Sequence, residues 1–152
     1  MRVQVNETRL AEAQAKAMRG SARKAYDAFL DDLAASGCLA LGYRMTGPSL
    51  IERLCVKHLR GNDRAIVAFT ADRTAWIVLV GPHNASSPER NVYDQLYELV
   101  GHRPPDETKR RKPSCCDEDG GAPPTHEDEV IALSERAIKA ARRASAGRRS
   151  LR

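Results

Sequence analysis

A chain of 152 residues that is 41% apolar but only 5% aromatic has material for one modest hydrophobic core, since typical domains run to about 100–150 residues. It contains no apolar run of the roughly 20 residues that a membrane-spanning helix needs, and the opening MRVQVNETRL lacks the apolar centre of a secretory leader, so a cytoplasmic location is expected. The net charge of +5 suits a phosphate-bearing partner without requiring one.

Met1 to Val5 alternates apolar and polar residues, as a short strand does. From Glu7 to Met18 good helix formers dominate, and Gly20 with Ser21 marks a break and a new N-cap. In the next segment Ala22, Tyr26, Phe29, Leu30 and Leu33 recur on one helical face, and Gly37 supplies a stop. After a connection holding Gly42, Gly47 and Pro48 come three strands, Glu52 to Leu59, Arg64 to Thr70 and Thr74 to Val80. The links between them have hairpin length, which predicts an antiparallel meander. The third strand is apolar on both faces and is expected inside the sheet. In the first, Leu54, Val56 and His58 alternate with Arg53, Cys55 and Lys57, which makes His58 a core or edge histidine. In the second, Ala65, Val67 and Phe69 would pack on the helices, leaving Arg64, Ile66 and Ala68 on an open face that carries basic side chains.

A third helix is predicted from Ser87-Pro88-Glu89, with Val92, Leu96, Leu99 and Val100 as its apolar stripe and Gly101 as its end. Pro104 to Thr125 offers almost nothing to bury and reads as a disordered linker; its KRRK run, Lys109 to Lys112, reads as solubilising charge. Glu127 to Ala144 has acids first and bases last, matching the dipole of a helix. The predicted fold class is α+β: a strand and helical hairpin on a small antiparallel sheet, a closing helix, then a mostly disordered tail with a C-terminal helix. The corresponding boundaries are 1–103, 104–126 and 127–152.

Four cysteines, Cys38, Cys55, Cys115 and Cys116, show no regular spacing, and the first two lie among apolar neighbours. Reduced thiols packed as small hydrophobes are expected rather than a disulfide framework. Adjacent Cys115 and Cys116 with His126 lack the spacing of a structural zinc site, so neither metal nor cofactor is expected.

The order strand, helix, helix, three-stranded meander, helix, with the segments CVKHLRGNDRAIVAF (Cys55 to Phe69) and IVLVGPHNASSPERNVY (Ile77 to Tyr93), resembles the RelE/ParE toxin superfamily of bacterial toxin–antitoxin systems over about residues 1 to 100. For the RelE branch the resemblance implies a messenger RNA endonuclease that acts in the ribosomal A site and is neutralised by an antitoxin protein. It implies catalytic roles for four residues. Lys57 would contact RNA and help activate the 2′-hydroxyl, and Arg64 would hold the scissile phosphate. His83 falls at a basic position after the last strand, and Tyr93 at the start of the last helix. RNA binding would fall to Arg53, Lys57, Arg60 and Arg64. Such chemistry gathers negative charge that preorganised cations stabilise, and a histidine can deliver the leaving-group proton. Cys55 and the Gly81-Pro82-His83 sequence depart from the RelE pattern. The alternative is the ParE branch, which shares the fold and poisons DNA gyrase without nuclease chemistry.

Overall fold

The computed structural model describes residues 2–45, 49–70, 73–83, 91–101, 113–122 and 124–150. Five strands, β1 (Gln4–Glu7), β2 (Tyr43–Arg44), β3 (Cys55–His58), β4 (Asp63–Thr70) and β5 (Thr74–Pro82), form one sheet in the order β1-β5-β4-β3-β2. The helices are α1 (Arg9–Ala17), α2 (Gly20–Ser36), a short α3 (Ser49–Glu52), α4 (Val92–Val100) and α5 (Glu127–Ser150), with a 3-10 turn at Gly37–Ala40.

The expected α+β class and the antiparallel meander β3-β4-β5 are present. β1 lies parallel to β5, so the sheet is mixed. The α1–α2 hairpin carries the chain from β1 at one edge to β2 at the other, and three antiparallel steps, β2 to β3 to β4 to β5, bring β5 back beside β1 in the same direction. β2, in the segment read as a connection, adds an antiparallel edge strand to β3.

Local chemistry fixes the junctions. Thr8 caps α1, its hydroxyl accepting from the Ala11 amide at 3.1 Å and donating to the Val78 carbonyl at 2.9 Å. Val78 is the extra residue of a bulge: Ile66 pairs with Leu79 but Val67 pairs with Ile77. Gly37 ends α2 at φ 59°, ψ −134°, a conformation that side chains resist, and a Cβ there would stand 3.3 Å from Val3. The Tyr26 hydroxyl donates to the Glu7 carboxylate, tying α2 to β1.

Both faces of the sheet are covered. On one, Ala11, Ala15, Tyr26, Phe29 and Leu33 of the hairpin pack on Cys55, Ala65, Val67, Phe69 and Ile77. On the other, Ile51, Val92, Leu96, Tyr97, Val130 and Leu133 pack on Val56, Ile66, Ala68, Val78 and Leu79. The open basic face expected from the alternation is therefore a second core, because α4 and α5 bring the apolar area that Ile66 and Ala68 need.

Three further expectations change. All four cysteines are paired, Cys38 with Cys116 and Cys55 with Cys115, at Cα separations of 5.4 and 5.6 Å. Residues 113–122 and 124–126, expected within the disordered linker, form an ordered strap: Arg44 N–H donates to the Pro113 carbonyl (2.8 Å), Thr125 N–H to the Phe69 carbonyl (2.6 Å), and Tyr43 bridges Ser114. The C-terminal helix is present as α5, and it docks through buried Val130, Leu133 and Ala137 while Ile131 stays 44% exposed. Burying a Val or Leu side chain contributes about 1.5–3 kcal/mol, enough to hold a helix that is weak alone. The helix expected from Ser87 starts at Val92, with Asn91 as its cap. The Ser87-Pro88-Glu89 signal and the KRRK run lie outside the described residues. Among the described residues no helix is long and apolar enough to cross a membrane.

Candidate functional site

The β3–β4 hairpin sets which side chains share a face. His58 stands opposite Arg64, and Lys57 opposite Ala65. Directly opposed residues project from the same face, so His58 and Arg64 point to the α4 side with Val56 and Ile66, whereas Lys57 points to the α1–α2 side with Cys55 and Ala65. Three more elements reach the same end of the sheet. β5 runs out at Pro82, opposite Asp63, and the next amide, of His83, donates to the Asn62 carbonyl in the β3–β4 turn at 2.7 Å. Asn91 caps α4 by accepting from the Tyr93 amide at 2.9 Å, and its Oδ1 lies 3.5 Å from His83 Nδ1. That cap aims the buried Tyr93, in the first turn of α4, back at the sheet. From the edge, β2 presents Tyr43.

These residues form a line of rings. The Tyr43 hydroxyl is 3.3 Å from His58 Nε2 and 3.1 Å from the Tyr93 hydroxyl. Tyr43 and His58 meet edge-on with ring centres 5.5 Å apart, and His83 meets Tyr93 edge-on at 4.8 Å. Arg64 lies beside the line. Its Nη1 donates to the carbonyls of Gly61 (3.2 Å) and Asp63 (3.0 Å), while its buried Nε has no hydrogen-bond partner among the described residues. Burial, first, and the hydrogen bond with Tyr43, second, hold the Tyr93 phenol well above its ordinary value; the Arg64 guanidinium acts in the opposite direction. Tyr93 is thus a neutral phenol at physiological pH, able to pass a proton but not to act as a standing phenolate. Two imidazoles, two phenols and a guanidinium make a set suited to proton transfer around a phosphate.

Of the four residues expected to be catalytic, Arg64, His83 and Tyr93 come together and Lys57 does not. Among the expected RNA-binding residues, Arg53 makes an ion pair with Glu129 of α5 at 3.7 Å. Arg60 is exposed in the β3–β4 turn. Tyr43, His58 and Asn91 were not singled out by sequence as site residues. The hairpin pairing of 58 with 64 puts His58 beside Arg64 and Lys57 on the other face; a one-residue slip in that register would exchange the two. Among the described residues no group of three or more His, Cys, Asp or Glu side chains is placed to hold a metal ion. No protein-family model matches the chain, and no curated protein matches it with significant similarity.

Proposed function

We propose that the chain is a RelE-like endoribonuclease of the cytoplasm that cuts messenger RNA on the ribosome and is held in check by an antitoxin protein. The observation that carries this reading is the convergence, at one end of the sheet, of Arg64 with the line His58, Tyr43, Tyr93, His83. The order β1, helical hairpin, meander, helix supports it as well. One histidine takes the proton of a ribose 2′-hydroxyl as its oxygen bonds to phosphorus. The bond to the 5′-oxygen breaks, and that oxygen receives a proton from the other histidine, leaving a cyclic phosphate end and a 5′-hydroxyl end. Arg64 stabilises charge on the phosphate, a role whose loss typically costs about 10²–10³ in rate; each acid or base contributes about 10²–10⁴. The test is incubation with ribosomes carrying a defined messenger, with the ends mapped by primer extension. Cyclic phosphate ends at discrete positions are expected, and uncut messenger beside arrested growth would sink the reading.

A second reading, a ParE-like module without nuclease chemistry, draws on a specific observation: Lys57 lies on the far face and Arg64 Nη1 is engaged by backbone carbonyls. Inhibition of gyrase supercoiling with RNA left intact would select it.

A further inference from the structure

We infer that the two disulfides form a redox latch that decides whether Tyr43 is in place, a control that rests on the nuclease reading of the site. Adjacent Cys115 and Cys116 tie the strap to β3 through Cys55 and to the 3-10 turn through Cys38. The strap in turn holds β2. Ser114 bridges Tyr43, the Pro113 carbonyl accepts from the Arg44 amide, and the Cys115 carbonyl accepts from Arg44 Nε at 3.1 Å. β2 is two residues long, so its register depends on β3 on one edge and the strap on the other. Among the described strap residues, Cys115 and Thr125 alone are buried. A few backbone hydrogen bonds do not offset the entropy of ordering the strap, so its docking depends on the bridges. Tyr43 connects His58 to Tyr93, and once the strap lifts the line of rings loses the link between His58 and the pair Tyr93 and His83.

A reductant has a way in. A cleft of about 510 Å³ borders Cys38 between Arg2, Arg73 and Ala122, and its basic rim suits a small thiol bearing carboxylates. The thiolate attacks the Cys38–Cys116 bond, forming a mixed disulfide and releasing one cysteine as thiolate. A second thiol then frees the other cysteine and leaves as the oxidised dimer, so each bridge takes up two electrons and two protons. Cys55–Cys115, buried at first, follows once the strap lifts. Bridges in a reducing compartment are usually transient and sensing. The oxidised protein is therefore the state with a complete site.

The experiment uses the full chain, oxidised by glutathione disulfide or reduced by glutathione, followed by hydrogen exchange and messenger cleavage. Reduction should raise exchange at the Arg44 amide about tenfold or more while Ala65 to Val67 in β4 keep their protection. Cleavage should fall with it, both should recover on reoxidation, and the double variant Cys115→Ser/Cys116→Ser should behave as reduced in either buffer. Unchanged Arg44 exchange, unchanged cleavage despite faster exchange, or an intact mass showing free thiols or bound metal in the oxidised protein would overturn the latch. Redox-dependent exchange in a protein that never cuts RNA would retain the latch on Tyr43 and overturn the nuclease reading instead.

Discussion

The Tyr43 hydroxyl stands 3.1 Å from that of Tyr93, so an edge strand and the first turn of α4 share one hydrogen bond. Tyr43→Phe removes it and leaves burial as the main cause of the raised Tyr93 phenol. Ultraviolet titration should show Tyr93 ionising at lower pH than in the wild type. Messenger cleavage should fall about tenfold, the scale of one lost hydrogen bond in a site. An unchanged Tyr93 titration would mean the bond does not form in solution.

The face split at the β3–β4 hairpin separates two cations that look equivalent in sequence. Arg64→Ala should lower cleavage by about 10²–10³, whereas Lys57→Ala, on the α1–α2 side, should leave it within about twofold. Equal losses from the two would place both on one face and contradict the register His58 to Arg64.

Docking of α5 is testable by cavity formation. Leu133→Ala should cost about 2–5 kcal/mol and lower the thermal midpoint by several degrees, at roughly 2–4 °C per kcal/mol for a chain of this size. Ile131→Ala, at a position 44% exposed, should cost less than about 0.5 kcal/mol. Matching small effects would mean that α5 does not pack on the sheet.

Alkali should unfold the protein early. Tyr26 and Tyr93 are both held above the ordinary phenol value of 10.0, each chiefly by burial, with the Glu7 hydrogen bond adding to the shift at Tyr26 and Tyr43 adding to it at Tyr93. A folded-state value raised above the unfolded one gives stability that is whole below the unfolded value and lost as pH rises past it. Unfolding free energy should thus be level with respect to these groups below about pH 10 and fall above it, by about 1.4 kcal/mol per pH unit per tyrosine. Denaturant titrations along that range, with Tyr26→Phe as comparison, measure the slope. No loss between about pH 10 and 11 would show that both phenols ionise freely.

Periodicity carried the elements well. The stripe Tyr26, Phe29, Leu33, the turn residues of the meander and the two-faced apolar β5 each follow from side-chain spacing, which local sequence records. Three features were hidden for physical reasons. β2 is two residues held by partners distant in sequence, so it has no period to read. The second core depends on α5, which contributes Val130 and Leu133 to it; so little apolar surface looks too weak in sequence until a sheet face is there to receive it. The cysteines join positions 78 and 60 residues apart, separations that no local spacing encodes. At the candidate site, Arg64, His83 and Tyr93 are reached through the family resemblance and not through any local period, while His58 depends on a hairpin register that one residue inverts.

The bridge between Cys55 and Cys115 turns everything from β3 to the strap into a covalent ring. One peptide-bond cut anywhere inside that ring opens it without dividing the protein: both pieces stay joined through sulfur, and the nicked chain keeps its full mass apart from one added water. A protease acting between β3 and the strap would leave a single band on a non-reducing gel and two after reduction. Under oxidising conditions a single such break would leave the strands that carry His58 and Arg64 joined to the helix that carries Tyr93.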